Sequence, residues 1–286
     1  FLLIYFEGQL YDITPLKTTL TSATLATTNN SAICSITTGT NHNLSVGDIV
    51  LLDTVTLPVG TGYVDADFEN KLFQVTSITS ATVFTITQST AATATVGTGG
   101  SLSVKPYEQV GPAEQSYGYG WGIDSWGSGN WGEAASASDV SLEPGLWSLS
   151  NFGQVLVATI ANGKTFTWDA GIAARLTTRA STTTSGFSTS ANPTATRVTL
   201  VSPTTRHLIH LGTETTIGDP TTQDDMFIRF SDQEDINDYV PTAINSAGSQ
   251  RLQDGTKIIG SLKAKESILV WTDNACLLYT SPSPRD

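Results

Sequence analysis

Apolar residues along this chain come in short bursts separated by polar turns rich in Thr, Ser, Asn and Gly. Short bursts predict strands, because an amphipathic helix would repeat its apolar positions at three- and four-residue spacing over a longer window. Phe84 and Ile86 alternate with Thr85 and Thr87, the period of a strand with one buried face. Ile33 to Ile36, Asp48 to Leu52, Leu72 to Ile78, Thr82 to Thr87 and Ser101 to Val104 all read as strands. Turn residues occupy Asn43 to Asp48 and Pro58 to Gly62, and the GTGG at 97–100 reads as a tight turn into the last strand. Five short strands at this spacing predict a small barrel or sandwich over residues 21–106. Residues 1–20 hold one apolar run and then YDITPLKTT, where Pro15 confines a strand to an edge or an end.

A second block spans residues 146–275. Its clearest element is GQVLVATIANGKTFTWD, in which Asn162-Gly163 separates two alternating runs. A two-residue type I′ turn there predicts Ala161 opposite Lys164, Thr159 opposite Phe166 and Val157 opposite Trp168. Two weaker hairpins follow: Arg197 to Val201 with His207 to Gly212, and Lys257 to Leu262 with Ser267 to Trp271. Met226 to Phe230 reads as a further strand. Similar hairpins about 45–60 residues apart match the length of propeller blades, with a plain sandwich as the alternative.

Between the blocks, residues 107–145 form a Gly- and Trp-rich connection. Trp121, Trp126 and Trp131 recur every five residues, each followed by Gly. That period fits neither helix nor strand, so the segment reads as an ordered loop with aromatic anchors. The tryptophans are the candidate interface residues: they could pin the loop to its own core, fill pockets on a neighbouring subunit, or stack on sugar rings.

Charge narrows the function. With 14 basic and 26 acidic residues, the formal net charge is −12, which argues against a general nucleic-acid binder but suits a wall past which DNA slides. No run approaches the ~20 apolar residues of a membrane span. The opening FLLIYF lacks the basic flank and cleavage site of a signal peptide, and Phe1 is read as interior to a longer gene product.

No catalytic pattern emerges. The sequence has no Gly-x-Ser-x-Gly elbow, phosphate loop, HExxH or Cys-His pairing, and no catalytic, cofactor or metal residues are assigned. His207 and His210 stand three apart on a predicted strand, hence on opposite faces; with His42 they read as ordinary strand histidines. The acidic run Asp232–Asp238 puts Ile236 where a calcium loop needs an oxygen ligand and lacks the central Gly, so it reads as a solvated loop. Asp224 and Asp225 read as solvated turn residues.

The tail CLLYTSPSPRD, residues 276–286, matches one reading frame of a transposase sequencing adapter at every position. It is expected to be an artefact of a metagenomic fragment, which would leave Cys34 as the natural cysteine and allow no internal disulfide.

Several stretches are similar to tail proteins of environmental phages: YDITPLKTT at 11–19, GYGWGIDSWGSGNWGEA at 118–134, LWSLSNFGQVLVA at 146–158, IRFSDQEDINDYVPTAINSAGSQRL at 228–252 and IIGSLKAKESILVWTDNA at 258–275. The RFSD…VWT arrangement resembles the propeller core of nozzle and hub proteins of short-tailed phages. The resemblance implies an all-β chain: a partial β-propeller with an inserted small β-barrel or sandwich. In domain terms, residues 1–20 would be a propeller strand and lead-in, 21–106 the insertion, 107–145 the connecting loop, and 146–275 partial blades. It implies a non-enzymatic virion subunit, assembled in the host cytoplasm. Copies would form a sixfold ring around the DNA channel, next to other tail or portal-adaptor proteins. The competing readings are a carbohydrate-binding adhesin or tail-fibre domain that uses the Trp-rich loop and, on the all-β architecture alone, a polysaccharide depolymerase.

Overall fold

A computed structural model describes residues 1–110, 145–182 and 192–279. The chain divides into two compact units, Phe1–Gln109 and Val110–Asp286. The described residues are all-β, with 3-10 turns at Asp65–Asp67 and Pro220–Thr222. None of their helices is long and apolar enough to cross a membrane.

The first unit opens with a hairpin of β1 (Leu3–Phe6) and β2 (Gln9–Asp12), turned by Glu7 and Gly8 at positive φ. A closed barrel follows: β3 (Leu20–Thr27), β4 (Ile33–Thr37), β5 (Ile49–Thr56), β6 (Lys71–Ser80), β7 (Val83–Thr87) and β8 (Val96–Pro106), in the order β3-β4-β7-β6-β5-β8. The alternation read from Phe84 and Ile86 is what fills it. Both point inward with Leu25, Ile36, Val50, Leu52, Phe73, Val75, Leu102, Val104 and Phe68.

Two expectations fail here. The barrel has six strands rather than five, because β3 (LTSATLAT) buries Ala23, Leu25 and Thr27, a face too weakly apolar to register in the sequence. Nor is 97–100 a turn: those residues lie inside β8, where the pairing with β3 shifts register between Leu25/Gly99 and Ala23/Leu102. Gly100 has φ +70°, and a Cβ there would lie 2.2 Å from the Thr56 carbonyl oxygen, so the glycines serve a bulge that lets the strand bend around the barrel.

The chain enters and leaves the barrel side by side. β3 and β8 are antiparallel neighbours, and pairing continues beyond them through a Leu16–Tyr107 bridge. There the Lys17 N–H donates to the Pro106 carbonyl at 2.8 Å and the Glu108 N–H to that of Pro15 at 2.9 Å.

The described residues of the second unit form three antiparallel meanders in chain order. The first comprises β9 (Trp147–Phe152), β10 (Val155–Ile160) and β11 (Thr165–Asp169). The second comprises β12 (Thr196–Val201), β13 (Leu208–Thr213), β14 (Phe227–Phe230) and β15 (Gly248–Arg251). The third comprises β16 (Ile258–Lys263), β17 (Ile268–Thr272) and β18 (Cys276–Tyr279), so the first residues of the suspected adapter tail pair as an edge strand.

The meanders stack face to face. Phe152 and Val157 of the first pack against Val201 and Leu208 of the second. On the opposite face of the second, Leu200, Ile209, Leu211 and Ile228 pack against Ile258, Ile268 and Val270 of the third. The middle sheet is therefore buried on both sides, which explains why β13 (LIHLGT) is buried at every position and shows no alternation.

The β10–β11 hairpin forms, but one residue out of the expected register. Thr159 pairs with Thr165, Ala158 with Phe166 and Val157 with Thr167. Only Asn162 takes positive φ, whereas a type I′ turn needs it at Gly163 too. Gly163 instead bridges to Thr196, and a three-residue turn, Ala161-Asn162-Gly163, results. The other two hairpins form where expected, with Val201 opposite Leu208 and Leu262 opposite Leu269.

Candidate functional site

Trp121, Trp126 and Trp131 lie outside the described residues. What the structure adds is a polar network inside the middle sheet, built from His210 and from Glu214, Arg229 and Tyr239, which the sequence did not single out.

Glu214 follows β13 directly and is fully buried. One of its carboxylate oxygens accepts from the N–H groups of Thr194 and Ala195, at 2.6 and 2.7 Å, and from the Thr194 hydroxyl. The other accepts from the Gly218 N–H at 2.6 Å. Arg229 on β14 is also buried, and its Nη2 donates to the carbonyls of Glu214 and Thr215 at 3.2 and 2.8 Å. Burial pulls the guanidinium below its ordinary pKa, and the Glu214 charge opposes that pull.

Beside this pair, His210 Nδ1 lies 3.0 Å from Thr196 Oγ1, which lies 2.9 Å from Thr213 Oγ1. His210 Nε2 lies 2.9 Å from the Tyr239 hydroxyl. Burial, helped by the Arg229 charge, depresses the His210 pKa to about 3, so the ring is neutral at ordinary pH. Burial likewise pushes the Tyr239 phenol well above its usual value, with Asp235 adding to the effect. A neutral imidazole, a neutral phenol and a fully bonded carboxylate, all shut away from solvent, hold a fold together; they offer no reacting group to a substrate.

The other candidate residues are also committed to internal bonds. His42 accepts from the Leu44 N–H at Nδ1, 3.0 Å away, and its Nε2 faces the Ser80 carbonyl at 3.0 Å. His207 precedes β13 rather than lying on it, with Nδ1 2.8 Å from the Ser231 carbonyl. Cys34 is buried in the barrel, and burial raises its thiol pKa.

The acidic run is not simply a solvated loop. Ile236 joins the core between the first two sheets, and Tyr239 is completely buried. Asp232 caps the far end of the loop, accepting from the Ser246 hydroxyl at 2.6 Å and N–H at 2.8 Å, bonds that hold its carboxyl below the usual range. Asp238 accepts from Asn245 Nδ2 at 2.7 Å. Asp224 and Asp225 pair with Arg251 at 2.7 Å and Arg197 at 3.4 Å, where simple solvation was expected. Among the described residues, no three His, Cys, Asp or Glu side chains converge as a metal cluster would require.

Exposed apolar residues lie on several sheet faces among the described residues, Leu149 on the outward face of the first meander included. Leu3, Tyr5 and Leu10 cover one face of the β1–β2 hairpin. Leu262, Leu269, Trp271 and Leu278 cover the face of the third meander that points away from the second.

No family model matches this sequence, and no curated protein matches it. Among solved structures, the chain is similar to the phage phi92 endosialidase, with a TM-score of 0.25 and 11% identity. The match covers 91% of this chain and 35% of that one, so the chain spans about a third of the length of that structure.

Proposed function

We propose that this chain is a non-enzymatic structural subunit of a phage tail, of the nozzle or hub type, and that its three meanders are successive blades of a partial β-propeller. One observation carries the propeller reading: the middle sheet is buried on both faces by the meanders that precede and follow it in sequence. A two-sheet sandwich buries one face per sheet, whereas a propeller stacks consecutive meanders face to face around an axis. The paired entry and exit of the barrel support its being an insertion between the N-terminal hairpin and the blades. The virion assignment rests on the sequence resemblance. An excess of acidic residues suits a ring whose lumen passes DNA without holding it.

The reading makes the protein a self-assembling ring in the virion, sixfold, meeting its neighbours in the tail by surface complementarity. Negative-stain electron microscopy of the purified protein is expected to show rings with an open centre. The Trp-x-x-x-x-Trp spacing of the connecting loop favours one competitor, a sugar-binding adhesin. Binding on a glycan array that Trp126→Ala abolishes, from a protein that forms no rings, would replace the tail reading with that one.

A further inference from the structure

We propose that a Thr-acid dipeptide after the second strand of a meander is a clasp repeated along the chain, fixed at Thr213-Glu214 and acid-releasable at Thr272-Asp273. The proposal deepens the blade reading above, because a device recurring at the same place marks the meanders as repeats of one unit. In the second meander, Glu214 follows β13. It accepts from the Thr194 and Ala195 N–H groups and the Thr194 hydroxyl, just ahead of the first strand, β12. The Thr213 hydroxyl donates back to the Ala195 carbonyl at 2.9 Å. In the third meander, Asp273 follows β17. It accepts from the Thr256 N–H at 2.7 Å, the Lys257 N–H at 3.4 Å and the Thr256 hydroxyl, just ahead of the first strand, β16. The Thr272 hydroxyl donates back to the Asp254 carbonyl at 2.9 Å. The first meander has Ala161 in the corresponding place, tied by a backbone bond from its N–H to the Leu146 carbonyl at 3.2 Å.

The two clasps differ in their surroundings. Glu214 is buried with the Arg229 charge beside it, so it cannot let go without opening the middle sheet. Asp273 and Thr256 are exposed. The bonds from Thr256 hold the Asp273 carboxyl below its ordinary value of 3.8. The clasp is therefore fully closed above 3.8 and is lost as pH falls through the lower, folded value. The charged residues bonded to the dipeptide through their backbone are Asp254 and Lys257, and no charge from another strand contributes to the shift. Space is kept for the clasp: Gly255 has φ +120°, and a Cβ there would lie 2.6 Å from Asp273 Oδ1 and 2.7 Å from Thr272 Oγ1. On either side the chain stays fastened. The Leu252 N–H donates to the Met226 carbonyl at 2.9 Å, and the Ile258 N–H to that of Asp225 at 3.1 Å. Opening is thus confined to residues 253–257, the crossing between the second and third sheets.

Residue-resolved amide exchange on the full 286-residue chain tests this. At neutral pH, Asp273→Asn puts an uncharged amide where acid would put a neutral carboxyl. Protection of the Thr256 amide is expected to fall about fivefold or more, with Thr194 and Ala195 unchanged. Thr256→Val removes the hydroxyl and keeps the N–H, so it should lower protection by less. Glu214→Gln should instead lower protection throughout the second meander. In the wild type, the Thr256 protection factor should drop together with the titration of the Asp273 carboxyl, followed by its 13C shift. Unchanged Thr256 protection in Asp273→Asn would overturn the clasp. Loss spread over β16 and β17 would overturn its opening as a local unit. A Thr256 amide still protected after the Asp273 carboxyl has titrated would overturn acid release. Each of these results leaves ring formation in the electron micrographs, the test of the tail reading, untouched.

Discussion

Counting donors fixes the protons around His210. Thr213 spends its hydroxyl proton on the Ala195 carbonyl at 2.9 Å, so it can only accept from Thr196. Thr196 has then spent its own proton and must accept from His210, which places the ring proton on Nδ1 and makes Nε2 the acceptor for the Tyr239 hydroxyl. His42 is the opposite case, because the Leu44 N–H at Nδ1 forces the proton onto Nε2. Long-range 15N–1H spectra at neutral pH should therefore show different tautomers for the two residues. Acid should also find His210. Its folded pKa of about 3 lies below the unfolded value near 6.5, so the unfolded chain takes up a proton that the folded one refuses. Stability should fall as pH drops from about 6.5 toward 3, by up to about 1.4 kcal/mol per pH unit. His210→Gln should flatten that part of the slope in pH-dependent urea melts. Asp232 keeps a share of it, since its depressed pKa makes its bonds fail in the same direction. Glu214→Gln should cost about 2–4 kcal/mol by urea unfolding, because an amide nitrogen would face N–H groups that now donate to oxygen. None of this was legible in the sequence. Glu214 and Tyr239 are single residues in polar surroundings, and their burial follows from a sheet covered on both sides, which no local pattern announces.

Strands read well from sequence where one face is wet and poorly where both or neither are strongly apolar. Phe84 and Ile86 showed their alternation because Thr85 and Thr87 face out. β3 was missed because Ala and Thr do the inward work. Glycine misled twice, each time by suggesting a turn type that its own backbone does not adopt. At Asn162-Gly163, Asn takes the left-handed conformation and Gly does not. Asn162→Ala should accordingly cost about 1 kcal/mol, while Asn162→Gly should be nearly neutral, a contrast that thermal melts resolve. At Gly100, any side chain meets the Thr56 carbonyl, and positive φ adds strain. Gly100→Ala should destabilise the barrel by about 3 kcal/mol or more, visible as early loss of barrel amide protection in hydrogen exchange.

At the scale of the molecule, the first unit has the makings of an autonomous fold. A closed barrel has no open sheet edge, and its core draws on residues of that unit alone. Residues 1–109 expressed separately should unfold in a single cooperative transition. The candidate site was the least legible feature at this scale. The Trp-rich loop drew notice by its spacing, whereas Glu214, Arg229 and Tyr239 show no pattern of their own until the middle sheet is seen buried between its neighbours.

The bridge between Leu16 and Tyr107 makes the barrel exchangeable. Whatever stands between those two residues is asked only that its own ends be neighbours, since the flanking segments already meet there. A reporter such as a compact fluorescent protein with adjacent termini could take the place of residues 18–105 and leave the chain on either side in register. A junction of this kind is a ready point at which one compact segment can be exchanged for another.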